Sequence, residues 1–193
     1  MTDLGLPDVR TMLDGRPPKE LAEHEKWAAV AMLLREGASG PEVFLIRRAE
    51  HPRDPWSGHM AFPGGRREMG DETLLHTAMR ETREEVGLDL TAEAEHIGQL
   101  DDLQAIARGK PQETVIRPFV FEVHRESPIR VEAREVAEAL WTPLLPLYRG
   151  EVDTVRPYQW HGSQIDFPAY DVDGRVVWGL TYQMLRSFFR ILG

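Results

Sequence analysis

Glu81, Glu84 and Glu85 fall at i, i+3 and i+4 in a stretch that reads as a helix from about Asp71 to Val86, with Gly87 to stop it. At ~100° per residue the three carboxylates share one arc, while Leu75, Met79, Thr82 and Val86 share another roughly opposite. The first arc can line a cleft and the second a core. Clustered carboxylates repel one another unless something positive sits among them. Hard divalent cations prefer such oxygen ligands, and magnesium in particular is held by a few carboxylates together with water and phosphate oxygens. A glutamate-rich helical face also arises where a helix simply turns its charges to water, so the cluster gains meaning only from its context.

That context is specific. Phe62-Pro-Gly-Gly65 ends an apolar segment and leads through Arg66-Arg67-Glu68-Met69-Gly70 into the acidic helix, and glycines at such a strand end permit tight turns and close backbone approach. Glu72, seven residues, Arg80-Glu81, Thr82, Glu84-Glu85, Gly87 and Leu88 resemble the signature of the Nudix hydrolase family. Two details differ from that signature. Six residues instead of five separate Gly65 from Glu72, and Thr82 stands where an aliphatic residue is usual. Neither touches a carboxylate.

The resemblance implies a pyrophosphohydrolase that uses Mg²⁺ or Mn²⁺ to split a diphosphate linkage in a nucleotide-like metabolite. It implies Glu81, Glu85 and Glu84 as metal ligands, Arg80 as the group that positions them, Glu72 as a helper, and Glu84 as a candidate general base. Glu113, in the polar stretch 101–114, is a second candidate base. The backbone of Gly64 and Gly65 is expected at the substrate, and Arg47, Arg48 and Arg66, with Arg67 beside them, are expected to face its phosphates. Leu100-Asp-Asp102, Ile116-Arg-Pro-Phe119, Glu135-Val-Ala-Glu138 with Trp141, and Val177-Trp-Gly-Leu-Thr181 look like the coenzyme A pyrophosphatase branch, although Asp54 stands where that branch has Arg and Arg53 is one place early. Hydrolysis of another nucleoside diphosphate-X (ADP-ribose, NADH, a dinucleoside polyphosphate) is the alternative. A non-catalytic nucleotide sensor on the same scaffold would be expected to lack some of these carboxylates, and an isomerase on it would need a catalytic cysteine.

Elements must hold these groups in place. Trp27–Leu34 and Glu42–Ile46 are apolar runs separated by the turn-like Gly37-Ala-Ser-Gly-Pro41, and read as a hairpin buried on both faces. Further strands are expected at Gly58–Phe62, Ala94–Leu100, Thr114–Val123, Ile165–Val172 and Val176–Trp178, the last two joined by Asp173-Gly174. Val131–Leu140 reads as helical, and Thr181–Leu192 as a final amphipathic helix whose Met184, Leu185, Phe188 and Phe189 serve internal packing or a homodimer contact. Residues 1–26 read as an N-terminal arm with a helix near Leu21, and 27–193 as one hydrolase domain. The expected fold class is α/β: the Nudix-type α/β/α sandwich with a mixed β-sheet. Trp27, Trp141 and Trp178 are assigned to the core, as are Tyr170 and Trp160 ahead of any stacking role, and His59 to structure.

Composition bounds the rest. The 193 residues carry a formal charge of −9 and no cysteine. Thiol catalysis and zinc–thiolate sites are thereby excluded, and broad nucleic-acid binding, which needs dense positive charge, is not expected. The N-terminus lacks the order of a secretory signal and no apolar run approaches a membrane span, so a cytoplasmic protein without a membrane partner is expected.

Overall fold

The structure is a computed structural model that describes residues 5–22, 26–52, 54, 56–107, 110–125, 127–160 and 163–193. Arg53 and the side chain of Trp160 lie outside the described residues.

The hairpin read from the two apolar runs is the centre of the molecule. β1 (Lys26–Gly37) pairs antiparallel with β2 (Gly40–Arg48), with Leu34 opposite Val43. On its other side β1 runs parallel to β7 (Lys110–Val123). The main sheet of eight strands has the order β3-β2-β1-β7-β5, where β3 is Met60–Ala61 and β5 is Ala94–Gln99. Three more strands join it: β4 (Gly64–Arg66) on β1, β6 (Leu103–Ala107) on β7, and β8 (Val136–Pro143) on β2. One parallel pairing among antiparallel ones makes the sheet mixed, as expected.

Successive side chains of a strand point to opposite faces, so an all-apolar strand must be covered twice. Met32 and Leu34 of β1 and Val43 and Leu45 of β2 enter one core with α1 (Leu6–Asp14) and α5 (Gly179–Leu192). Ala29, Ala31 and Leu33, with Phe44 and Ile46, enter the other with α2 (Leu74–Val86). This is the α/β/α sandwich. A three-stranded sheet, β11-β10-β9, flanks it, formed by β9 (Asp153–Trp160), β10 (Ser163–Val172) and β11 (Arg175–Trp178). α5 is amphipathic as expected, and Met184, Leu185, Phe188 and Phe189 are all buried inside the fold.

Several expectations are corrected. The N-terminal helix is Leu6–Asp14, with Pro at its first turn, and Leu6, Val9 and Leu13 are buried in the core; Leu21 is exposed and lies outside any helix. Val131–Leu140 is not a helix. Val136, Ala139 and Leu140 have helix-like spacing, but after one turn at Glu132–Val136 the chain extends and supplies the backbone partners that the open edge of β2 requires. Trp141 then packs on Phe44 with ring centroids 4.9 Å apart. The strand expected at Gly58–Phe62 is only Met60–Ala61. The stretch 101–114 holds β6 and the start of β7, where Glu113 is an exposed strand residue in an ion pair with Lys26. Among the described residues, no helix is long and apolar enough to cross a membrane.

Candidate metal and substrate site

α2 begins at Thr73, whose side chain accepts from the His76 N–H, and ends at Gly87. Its buried residues include Thr82, which donates to the Ala78 carbonyl at 2.7 Å, and, unusually for a carboxylate, Glu85 at 2 % exposure. A carboxylate is rarely taken out of water without a partner. The Gly64 N–H donates to Glu85 Oε2 at 2.8 Å. That one bond does not offset the loss of water: burial pushes Glu85 up to about 8, aided by the negative charges of Glu81 and Glu135, against the pull of Gly64 and the positive Arg48. Burial also raises Glu81, although the neighbouring Arg80 opposes it.

Glu81 and Glu85 meet a third carboxylate from outside the helix. Glu135 lies just before β8, and ligand atoms of Glu81, Glu85 and Glu135 lie within 4.8 Å of one another. This grouping ranges from buried to exposed, so it is anchored in protein and open to a cavity. Glu84 is not part of it. It lies further round the helix, more than half exposed, with Arg80 Nη1 at 3.0 Å. The arc read from sequence was therefore too wide: only its Glu81–Glu85 half faces inward.

Arg80 is the clamp of the site. It reaches Asp71 through Nε at 3.0 Å and Nη2 at 3.1 Å, Glu81 at 2.9 Å, and the Arg66 carbonyl at 3.1 Å. Asp71 is itself buried and accepts from the Glu68 N–H and the Thr77 hydroxyl, each at 2.9 Å. The Arg80 guanidinium holds the Asp71 carboxyl down at about 2, and Asp71 in turn raises Arg80. The sequence reading gave neither Asp71 nor Glu135 a role at the site. Glu72, expected as a helper, is exposed, with its carboxylate 3.8 Å from His76 Nδ1.

The glycine pair explains how β4 comes so close. Gly64 has φ +152, and a Cβ there would meet the Val30 Cα at 2.6 Å. A Cβ on Gly65 would lie 2.6 Å from Glu81 Oε2. Any side chain at either position would displace β1 or the carboxylate.

Above this floor opens a cavity of about 550 Å³, a size ordinary for a small-molecule site. Gly64, Gly65, Arg66, Glu81, Glu85 and Glu135 line it on one side. Arg48 lines it too, with Nη2 held 2.7 Å from Asp54 Oδ2. Arg47 is not among the lining residues and sits 3.4 Å from Glu138. Arg67 donates to the Asp71 and Glu72 carbonyls, which shapes the loop. The rest of the lining is largely apolar and includes Trp178, which was assigned to the core and instead borders the cavity; the His59 ring, also in the lining, is 4.9 Å from it. Burial lowers His59, as does Arg156. Tyr170 is fully buried beside Tyr182, in the core as expected.

Comparison with known proteins gives a consistent picture. The family model for the NUDIX domain matches residues 25–161. An uncharacterised Schizosaccharomyces pombe protein is 41% identical over 118 residues, which cover 60% of this chain and 36% of that protein. The mitochondrial coenzyme A diphosphatase NUDT8 of Homo sapiens is 29% identical over 157 residues, or 80% of this chain and 64% of that one. The chain thus spans about a third of the length of the first relative and just under two thirds of the second. In three dimensions it resembles the Ap4A hydrolase of C. elegans, with a TM-score of 0.51 at 20% identity, over 64% of this chain and 84% of that one. At that identity the likeness is one of fold.

Proposed function

Because this chain belongs to the NUDIX domain family, we propose that it is a pyrophosphohydrolase that cleaves a diphosphate linkage in a nucleotide-like small molecule with the help of a divalent cation. The observation that carries this reading is the convergence of Glu81, Glu85 and Glu135 within 4.8 Å at the floor of the cavity. Three oxygen donors, two of them pushed toward protonation by burial, fit a hard cation such as Mg²⁺ or Mn²⁺. These residues would hold it, with Glu84 and Glu72 outside the ligand set. Bound there, the ion would neutralise diphosphate charge and acidify a water.

The protein's own groups supply the rest. The Gly64 N–H fixes Glu85, and Arg80, anchored on Asp71, fixes Glu81, so the carboxylates are positioned before any ligand arrives. Arg48 and Arg66 border the cavity and would face the phosphates. Arg48 shares its charge with Asp54, which leaves Arg66 the freer to follow the ligand. The apolar side chains of the lining would limit the water beside the reacting centre. Residues 27–193 would form the hydrolase domain, with the helix Leu6–Asp14 packed onto it.

We place coenzyme A or a derivative first among substrates. Support comes from the likeness to the human coenzyme A diphosphatase and from the sequence runs around Leu100, Ile116, Glu135 and Val177. The test is a panel of coenzyme A, ADP-ribose, NADH and diadenosine polyphosphates with Mg²⁺ and with Mn²⁺, read by product mass. Coenzyme A cut to 3′,5′-ADP and 4′-phosphopantetheine faster than the others supports the assignment. Preference for another member moves the substrate, and inertness toward all of them removes the hydrolase reading.

A further inference from the structure

Trp178 links the lining of the cavity to a second set of rings. Trp178, the last residue of β11, is the inner end of an aromatic row that continues outward along the three-stranded sheet. Ala169 of β10 lies opposite Trp178 on one side and Thr154 of β9 on the other. Side chains two residues apart share a face of a strand, so Phe167 and Ile165 follow Ala169 on that face at steps of roughly 7 Å. Directly opposite them across the ladder stand Arg156 and Tyr158. The rings are in contact: Trp178–Phe167, Trp178–Tyr158 and Tyr158–Phe167 centroids are each 5.9 Å apart. The Arg156 guanidinium carbon is 5.7 Å from the Trp178 ring.

The two faces of this sheet have different fates. Tyr170, Val172 and Val177 point the other way and are buried in the core with α5. On the aromatic face Phe167 is 37% exposed and Ile165 41%. A sheet with one covered face ordinarily turns polar residues to water on the other, and an apolar face bordering a cleft marks a binding surface. Phe167 also stands beyond residue 161, where the NUDIX-domain match ends, so the shared domain pattern does not account for it.

Three features choose the occupant. The row is continuous through Trp178 with the cavity that contains the carboxylates, so one ligand can touch both. Its surface is made of rings, which suit a planar partner. Arg156 lies on the same face and forms no ion pair with another described residue, so its charge is available to a polar ring and its attached oxygens. We infer that Trp178, Phe167 and Tyr158, with Arg156, form a stacking wall for the heteroaromatic base of a nucleoside-diphosphate substrate whose diphosphate lies at the carboxylates. This rests on the diphosphate reading of the site and adds which residues of this chain would hold the base.

The test measures binding of three probes in the presence of Mg²⁺: ADP, inorganic pyrophosphate and geranyl diphosphate. The variants are Phe167→Ala and Tyr158→Ala, both at ring positions away from the main core, with Tyr158→Phe as the conservative control. ADP is expected to bind about 5- to 100-fold more weakly to each alanine variant, the span that one lost base–aromatic stack gives. Pyrophosphate should change by less than about twofold, and Tyr158→Phe should retain ADP binding. Equal weakening of ADP and pyrophosphate would mean a merely structural role and would overturn the inference, as would unchanged ADP binding. Loss confined to geranyl diphosphate would assign the wall to an alkyl arm and overturn the base. If the parent shows the expected ADP pattern yet cleaves no diphosphate in the substrate panel, the wall stands and the hydrolase reading falls.

Discussion

Replacing Asp71 by Asn isolates the clamp beneath the site. The substitution keeps the shape of the side chain and removes the charge that Arg80 meets through two bonds at 3.0 and 3.1 Å. Asp71 titrates at about 2 in the folded protein against an ordinary 3.8, so between those values the native state binds fewer protons than the unfolded chain. Stability from this group is therefore complete above about pH 4 and is lost as pH falls through about 2. At 1.36 kcal/mol per pKa unit the difference amounts to about 2 kcal/mol at pH 7 and about half of that at pH 3. Urea unfolding of both proteins at pH 7 and pH 3 reads this directly, as the gap between their unfolding free energies. A gap near zero at pH 7, or one that does not narrow at pH 3, would refute the claim that a buried ionised Asp71 anchors Arg80.

Gly65→Ala would push a methyl group to 2.6 Å from Glu81 Oε2; titration with Mn²⁺ should show at least about tenfold weaker binding, while the circular dichroism of the fold is retained. Glu85→Gln should lose more than about 100-fold in turnover and, without metal, become the more stable protein as pH rises. Glu85 is raised to about 8, so between its ordinary 4.5 and 8 the native state keeps a proton that the unfolded chain gives up, and the metal-free parent loses stability as pH rises through that window. Thermal melts of the two proteins should nearly coincide at pH 5 and separate by pH 8.5, by on the order of 3 kcal/mol. Added Mg²⁺ should close that gap for the parent alone.

Sequence and structure agree where the local pattern is bounded by its own turn or stop signals. The period of the Glu81–Glu85 helix, its Gly87 stop, the two-faced hairpin and the Asp173-Gly174 turn are all local features, and all are present. The pair Gly64-Gly65 announced a close approach, and the structure identifies what approaches: β1 on one side and Glu81 on the other. Asp71 was missed because a single aspartate in a polar loop has no periodic signature; the available hint was Arg80, which needs an acid as it turns inward. Glu135 was missed because it arrives from 50 residues beyond Glu85, on a segment whose apolar spacing imitated a helix. β9 was passed over because Pro157 interrupts it and most of its residues are exposed. Trp178 read as core because a tryptophan at a strand end is usually covered, and only the tertiary contact of β11 with β3 brings it to the cavity. The Leu6, Val9, Leu13 spacing was itself helical, and its burial shows that the N-terminal segment carries part of the core.

The central claim is that Glu81, Glu85 and Glu135 form one cation site. Anomalous diffraction from a crystal soaked in Mn²⁺ tests it most directly. The account predicts a manganese peak bonded to oxygens of all three, with Glu84 still on Arg80. A peak held by Glu84 and not by Glu135, or three carboxylates facing solvent with no ion between them, would contradict it.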